Sequence, residues 1–320
     1  MGFVVVSFTF LSDERYSHEW YELRQMWEGL LAGNGDAPAQ YRIGVIYFAN
    51  FLSGLTHGHL AFRHVLALMD GVFLALAMTV LFYLVSRSQI YRRATAAARV
   101  ALTSFGLMLL LYYMFWLFFY HKPETVANFA CLTVAAALIA GKPRIPVTLA
   151  FCCLVLISAY LGTVRADSGF ALNLGILIVA IIPGERILPL GRWVQAAAGL
   201  AGIFAVLGVE YYIKQIMFPN NPYPISKFQL LHNLTTVSTL VCVPVALGPW
   251  FLTVWFAGRN WARLESWEQA LVAASLVEFP VFFVVAMANE VRLFLPYAMV
   301  LIPTASALML KDWIGEKSAA

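Results

Sequence analysis

Charged side chains are scarce in this 320-residue chain. Asp, Glu, Lys and Arg together make up 12% of it, whereas hydrophobic residues make up 61% and the mean hydropathy is +0.76. A single soluble core cannot bury that much apolar surface. The shortage of charge therefore excludes a soluble globular protein and predicts a polytopic membrane protein. The net charge of +4 comes from arginines and lysines in short loops between apolar runs, so no nucleic-acid partner is expected.

Cysteine is also rare, and it is not spaced for chemistry. Cys131, Cys152, Cys153 and Cys242 lie within apolar runs, with no CxxC or Cys/His spacing. We interpret them as small core residues rather than as redox or metal-binding groups.

The N-terminal run, residues 1–12, is apolar but lacks the basic region and the small-residue cleavage site of a removable signal peptide. As a helix it would reach about 18 Å, which is short of the roughly 30 Å hydrocarbon core of a bilayer. We interpret it as a first, atypical span.

Apolar runs recur along the rest of the chain. Together with the N-terminal run they predict an all-α bundle of roughly ten spans, some of them short, forming a single transmembrane domain over residues 1–320. The predicted helices are 65–86, 100–119, 125–140, 146–164, 169–183, 193–212, 236–257, 267–288 and 293–310.

Basic residues mark every second loop of this arrangement. Because short cytoplasmic loops carry an excess of Lys and Arg, these loops and both termini are predicted to be cytoplasmic. The marking residues are Arg87, Arg92, Arg93, Arg99, Lys142, Arg144, Arg186, Arg192, Arg259, Arg263, Lys311 and Lys317. Most acidic residues fall in the other loops. Carboxylates contribute little to orientation, so their position indicates a polar cavity on the outer face.

The first outer loop, residues 13–64, is the longest polar stretch. Glu14 to Leu31 is predicted to be an amphipathic helix lying in the interface, and Ile43 to Leu55 a second one. A Gly/Asn/Asp/Pro break at 33–38 separates them. Residues 213–235, which are rich in Pro and Asn, form a second outer loop that is predicted to be an extended flap.

This layout resembles the GT-C glycosyltransferases, multi-pass enzymes that take sugars from polyprenyl-phosphate carriers. The shared features are a first helix that ends in an Asp/Glu pair (Asp13-Glu14) at the outer face, and a long first outer loop with two amphipathic helices. Short segments similar to those of bacterial members are Ala39-Gln40-Tyr41-Arg42, His121-Lys122-Pro123-Glu124-Thr125, Arg165-Ala166-Asp167, and Asn289-Glu290-Val291-Arg292 before Leu295-Pro296.

The resemblance implies a hexosyl or pentosyl transfer to an acceptor hydroxyl on the outer face of a cytoplasmic (inner) membrane. Its partners would be membrane lipids and a polyprenyl-phosphate sugar. Asp13 matches the family's position for the catalytic base, with Glu14 as the backup. Such a reaction also needs cations for the leaving phosphate. The candidates for that role are Arg42, Lys122, Arg165 and Arg292.

A simpler role is open for two of these arginines. Arg165 lies two residues from Asp167, and Arg292 lies two residues from Glu290. Each arginine would then only neutralise its neighbour in a tight outer turn.

His57, His59 and His64 raise the question of a metal, because an HxH pair can present two imidazoles on one side. A polar turn before a helix explains them equally well, and no metal ligand set is assigned. The one cofactor left open is a divalent cation, Mg²⁺ or Mn²⁺, on carboxylate oxygens such as those of Asp13, Glu14 or Glu124. Asp70 lies near the outer end of its predicted helix and is a further cavity candidate.

Glu278 favours a different class of protein. It is predicted to lie near the middle of the 267–288 helix, two residues before Pro280, where a lone carboxylate is costly unless it is protonated or paired. A carboxylate beside a proline kink at mid-membrane is typical of a proton- or ion-coupled transporter or a lipid-carrier flippase. Against this, the two halves of the chain show no inverted repeat. A non-catalytic GT-C-like membrane subunit is the third alternative.

Overall fold

The computed structural model describes residues 2–18, 20–35, 39–57, 59–87, 91, 99–100, 103–104, 106–108, 111, 123–141, 145–182, 189–220, 228–285 and 295–314. Every regular element in these ranges is helical, which confirms the all-α prediction.

The described residues form a series of α-helices in chain order. They are α1 Gly2–His18, α2 Trp20–Leu31, α3 Ile43–Leu55, α4 Phe62–Arg87, α5 Pro123–Ile139, α6 Val147–Val164, α7 Ala166–Ile181, α8 Arg192–Tyr211, α9 Leu230–Thr235, α10 Val237–Arg259, α11 Ser266–Val285 and α12 Leu295–Ile314. Short 3₁₀ turns occupy Ala39–Tyr41 and Trp261–Arg263, and a π-helical turn, Tyr212–Met217, continues α8.

Three helices among the described residues are long and apolar enough to cross a membrane. They are α4, α6, and α8 with its π-helical continuation, Arg192–Met217. The apolar helices α3, α5 and α7 are shorter. The chain is therefore an α-helical protein with membrane-spanning character.

Most helix positions agree with the sequence prediction to within a few residues, but the N-terminal part does not. The first helix continues through the polar residues 13–18 as α1, so Asp13 lies inside a helix and not at its end. No Gly or Pro occurs between residues 3 and 28 to stop it. The predicted single helix from Glu14 to Leu31 is wrong, because its first residues belong to α1 and α2 starts at Trp20.

Two further predictions meet the structure only in part. The 100–119 helix and the 221–227 part of the second outer loop lie mostly or wholly outside the described residues. The rest of that loop is not an extended flap, because residues 212–217 form the π-helical turn and 230–235 form α9.

Helix α7 packs between α8 and α11, and glycines allow the close approach. A methyl group added at Gly175 would lie 2.2 Å from the Ala270 backbone oxygen and 3.0 Å from the Ala274 backbone nitrogen on α11. One added at Gly199 of α8 would lie 2.9 Å from the Asn173 backbone oxygen. Small residues at such interfaces permit backbone-to-backbone packing, which fixes α7 in the bundle.

The two ends of the bundle differ in character. At one end Gly141, in the turn after α5, contacts Pro189, just before α8. The other end holds the C-terminal part of α1 and the first turns of α4 and α5, joined by a buried apolar cluster that includes Tyr16, Leu66 and Ala127. We call this second end the polar end, because the ionisable side chains described below collect there.

We predict that Gly175→Ala destabilises the protein. The new methyl group meets α11 backbone atoms that cannot rotate away, and overpacking of this kind costs about 1–3 kcal/mol. The measurement is thermal unfolding in detergent micelles. Gly208→Ala in α8 is the matched control, because nothing lies within 4 Å of the position where its methyl group would be. A melting temperature unchanged in Gly175→Ala would contradict the close packing.

Candidate functional site

The turn between α6 and α7 consists of one non-helical residue, Arg165, whose φ is −151° and ψ is 80°. Its backbone ends α6 by donating to the Leu161 carbonyl at 2.7 Å, and its own carbonyl accepts from Gly169 at 2.9 Å. Gly162 and Gly169 lie against Val206 and Val209 of α8, with no room for a side chain. The turn is therefore held against α8, and the Arg165 side chain is fully buried.

Asp167 neutralises Arg165 directly. Arg165 Nε lies 3.0 Å from Asp167 Oδ1 and Arg165 Nη2 lies 3.0 Å from Oδ2, which is a two-point contact. Burial disfavours the charge of Arg165, but the charge and hydrogen bonds of Asp167 outweigh it and raise the pKa of Arg165 above its ordinary value. Arg165 is therefore a permanent cation. The pair has the arrangement considered from the sequence, in which Arg165 and Asp167 neutralise each other.

Glu278 is the second carboxylate near Arg165. Its side chain is 4% exposed, and its Oε1 lies 4.0 Å from Arg165 Nη2. The sequence left open whether this carboxylate is protonated or paired, and tertiary packing places a cation beside it. Helix α11 continues for seven residues beyond Glu278, or about 10 Å. The Arg165 turn, which contacts Glu278, therefore lies beside the body of α11 and not beside its C-terminal end.

Neutral polar groups frame the same turn. Tyr297, near the start of α12, donates its hydroxyl to the Ser168 carbonyl at 2.5 Å. Asn128 of α5 donates to the Ser168 hydroxyl at 3.0 Å, and its own carbonyl oxygen has no hydrogen-bond partner among the described residues. Three helices thus meet at Ser168.

Asp13 faces α4 and contacts His64, with 2.6 Å between Asp13 Oδ1 and His64 Nδ1. Both side chains are a little over one third exposed. Glu14 points elsewhere: it is half exposed, and its nearest ion-pair partner is His18 at 4.0 Å. Neighbouring residues on a helix point about 100° apart, which explains why only one of the two acids reaches α4.

Tyr16 and Asp70 form a second contact between α1 and α4. The Tyr16 hydroxyl donates to Asp70 Oδ2 at 2.8 Å, and both residues are buried. Trp27 of α2 packs edge-on against Tyr16 with ring centroids 5.5 Å apart, and against Phe62 at the same distance. Helix α2 therefore covers the end of the α1–α4 pair.

Arg42, just before α3, pairs with Glu124 in the first turn of α5, with Nη1 and Oε1 3.5 Å apart. Their side chains are 21% and 11% exposed. Next to Arg42, the ring of Tyr41 has the Lys214 ammonium group 5.3 Å from its centroid. Lys214 lies on the π-helical turn and is paired with Glu210.

Electrostatic proximity links these groups into one site. Glu124 lies close enough to influence the charge of both Tyr16 and Arg165, and Arg42 is close enough to influence Asp167. The polar end thus gathers cations and carboxylates from the first loop and from α1, α4, α5, α7 and α11.

Two of the remaining predicted site residues lie in an exposed turn, and three lie outside the described residues. His57 and His59 are exposed in the turn after α3, where His57 has a positive φ of 49°. No three His, Cys, Asp or Glu side chains in the described ranges are close enough to hold a metal ion. Lys122, Glu290 and Arg292 lie outside the described residues.

Sequence reasoning missed several of the contacting side chains. Tyr16 lies in the predicted amphipathic segment and is not singled out by the sequence, and His64 is considered from the sequence only for a metal or as a turn residue. Lys214, Ser168 and Tyr297 carry no local motif at all. For His64 there was a usable signal, because it is the one histidine of the cluster in the first turn of a long helix that pairs with the first helix.

We predict strong coupling between Arg165 and Asp167. Removing one member leaves a buried charge without its partner, whereas removing both does not. The combined variant Arg165→Gln/Asp167→Asn should therefore be less destabilised than the sum of the single variants, with a coupling free energy of roughly 0.5–3 kcal/mol. Chemical unfolding in micelles measures all four proteins.

The exposed pair of Arg24 and Glu28 on α2, 2.7 Å apart, is the matched control. Water and salt screen it, so the Arg24→Gln/Glu28→Gln cycle should show a smaller coupling that disappears at high salt. Additive effects at Arg165 and Asp167 would show that the pair does not stabilise the turn.

Comparison of the chain with models of known protein families finds no match. Searches against curated proteins and against solved structures also find no significant match. The function proposed below therefore rests on the residues of this chain.

Proposed function

We propose that this protein is an integral membrane glycosyltransferase that moves a sugar from a polyprenyl-phosphate donor to a hydroxyl acceptor at its polar end. One observation carries the proposal: Arg42, Arg165 and Lys214 lie with paired carboxylates at one end of an apolar bundle, the end that also holds the Asp13–His64 contact. Charged groups are costly within a membrane unless they are paired, and they mark functional sites there.

The cations divide into two kinds. Arg165 is fully buried and gives two hydrogen bonds to Asp167, so its role is to set the local field and hold the turn. Arg42 keeps more of its surface and has a single 3.5 Å contact with Glu124. A guanidinium has five N–H donors, and Arg42 is therefore the main candidate for gripping the leaving phosphate. Lys214 is the second candidate.

The acceptor side of the reaction is assigned to the α1–α4 contact. Transfer needs a group that takes the proton from the acceptor hydroxyl as that oxygen attacks the sugar. Asp13 contacts His64 on α4 and is partly exposed, so a carboxylate–imidazole pair is available for this purpose. The rest of the donor is a prenyl chain, which fits an environment of apolar helices and membrane lipid.

The membrane arrangement is part of the proposal. The chain would cross a cytoplasmic (inner) membrane about ten times, with both termini in the cytoplasm and the polar end on the outer face. The contact between Gly141 and Pro189 opposite the polar end supports this, because Lys142, Arg144 and Arg186 belong to the same two loops in sequence.

A transporter is the second candidate, favoured by the burial of Glu278 two residues before Pro280. A carboxylate in such a place can carry a proton through a cycle of exposure. Its position 4.0 Å from Arg165, whose turn is packed against α8, argues for the enzyme, because a proton carrier must change its surroundings during the transport cycle. Under the transporter proposal Glu278→Gln abolishes proton-coupled uptake into vesicles, while Asp13→Asn leaves that uptake intact.

We predict that Asp13→Asn impairs sugar transfer on the order of 100-fold or more, the usual contribution of proton transfer by a positioned side chain. The assay uses protein reconstituted in vesicles with radiolabelled undecaprenyl- and dolichyl-phosphate hexoses and pentoses. The readout is the sugar released to water or to an added alcohol. Glu28→Gln is the control, because Glu28 is an exposed acid on α2 that pairs only with Arg24.

Two outcomes would contradict the proposal. Full transfer by Asp13→Asn would remove Asp13 from the chemistry. An unaltered protein that turns over none of these donors would overturn the enzyme assignment, and would leave the transporter or a non-catalytic membrane subunit.

The proposed orientation has its own test, in a chain whose four cysteines are replaced by alanine. Glu28→Cys on α2 should react with a membrane-impermeant maleimide applied to the outside of intact cells. Ala262→Cys, in the turn between α10 and α11, should react only after the membrane is permeabilised. The reverse pattern would invert the topology.

A further inference from the structure

The contact between Asp13 and His64 has a definite chemical direction. A carboxylate only accepts hydrogen bonds, so the proton in the 2.6 Å contact belongs to His64 Nδ1. In the neutral imidazole the other nitrogen, Nε2, then carries the lone pair. Asp13 therefore fixes which nitrogen of His64 can take up a proton.

The second nitrogen is available. Nε2 of His64 makes no hydrogen bond to any described residue, and the His64 side chain is 39% exposed. The imidazole is anchored on one side by α1 and open on the other. The buried Tyr16–Asp70 bond joins the same two helices, α1 and α4, and Trp27 of α2 packs against Phe62 of α4. Both members of the Asp13–His64 contact therefore stand on packed elements.

The other described histidines lack this arrangement. His18 is 82% exposed and lies 4.0 Å from Glu14. His57 and His59 are exposed in a turn, and His232 contacts only the Thr236 hydroxyl, at 3.3 Å. Among the described residues, a short carboxylate contact is found for His64 alone.

We propose that His64 is the base that deprotonates the acceptor, and that Asp13 is its positioning residue. This inference rests on the proposed function and changes the assignment made from the sequence, in which Asp13 itself is the base. Imidazole is the most frequent general base in enzymes, and a carboxylate on its other nitrogen orients it and stabilises the imidazolium.

The step is balanced as follows. The acceptor O–H bond breaks and its proton passes to His64 Nε2, while the acceptor oxygen forms a bond to the anomeric carbon. The bond from that carbon to the phosphate oxygen breaks, and the prenyl phosphate leaves with the electron pair beside Arg42. The proton on His64 then returns to water.

The experiment compares His64→Ala, His64→Gln, Asp13→Asn and Asp13→Glu on whichever polyprenyl-phosphate sugar the unaltered protein turns over. Both His64 variants should lose kcat on the order of 100-fold with little change in KM. Imidazole added to the buffer should restore part of the activity of His64→Ala. Asp13→Glu should retain more activity than Asp13→Asn, because it keeps a carboxylate. His18→Gln, an exposed imidazole near a carboxylate on the same helix, is the control.

A measurement without substrate tests the contact itself. Diethylpyrocarbonate reacts with an unprotonated imidazole nitrogen, and mass spectrometry follows the labelling of His64. Asp13→Asn should change the rate of labelling at His64 and leave that at His18 unaltered. An unchanged rate at His64 would overturn the dyad.

The failures are distinguishable. If the unaltered protein is inactive on every donor, the proposed function and the role of His64 fall together. If the unaltered protein is active, two results overturn only the role of His64. In the first, His64→Ala keeps more than a tenth of kcat. In the second, imidazole restores nothing to His64→Ala while Asp13→Asn is inactive. Asp13 is then the base. Equal melting temperatures for the two His64 variants and the unaltered protein rule out unfolding as the cause.

Discussion

The guanidinium of Arg165 holds a charge where neither water nor lipid can solvate it. Its side chain has no exposed surface, and Asp167 and Glu278 lie around it from α7 and α11. Removing a charge from water costs several kcal/mol unless hydrogen bonds and counter-charges replace the solvent. The turn between α6 and α7 must therefore stay beside α11, and the packing of Gly175 against Ala270 and Ala274 keeps it there. The positions of the other polar groups follow from this fixed point.

Arg42, Glu124 and Lys214 at the polar end are more exposed than Arg165. Arg42 and Glu124 are in contact at 3.5 Å. Lys214 belongs to the π-helical turn and lies over the ring of Tyr41. π-Helical turns are frequent at functional sites. The first loop reaches this region because Gln40 donates to the Leu30 carbonyl at 2.8 Å and accepts from Gly35 at 2.7 Å. The buried pair of Arg165 and Asp167 can hold the turn in place, while the more exposed cations Arg42 and Lys214 are accessible to an anion.

The contrast between Glu278 and Asp13 bears on what kind of protein this is. A transporter needs a buried carboxylate that changes its surroundings during a cycle, whereas Glu278 is beside a permanent cation on a turn packed against α8. Asp13 is instead partly exposed and bonded to an imidazole whose second nitrogen is open. Taking the proton from a bound hydroxyl requires such an accessible, oriented base. The geometry thus favours chemistry at the α1–α4 contact over ion movement through α11.

Hydrophobic runs and glycine breaks were enough to predict an all-helical chain with helices apolar enough to cross a membrane, and to bound most of the described helices to within a few residues. These properties are local, and apolar length is read directly from the chain. Asp13 was singled out in the same way, by its place after an apolar run. Its partner was not, since His64 is 51 residues away and only the packing of α1 on α4 brings the two together. Burial of Arg165 beside Glu278 likewise depends on contacts between α7 and α11. Pairings across helices were decided by tertiary structure, because side chains far apart in sequence meet only where the backbone packing puts them.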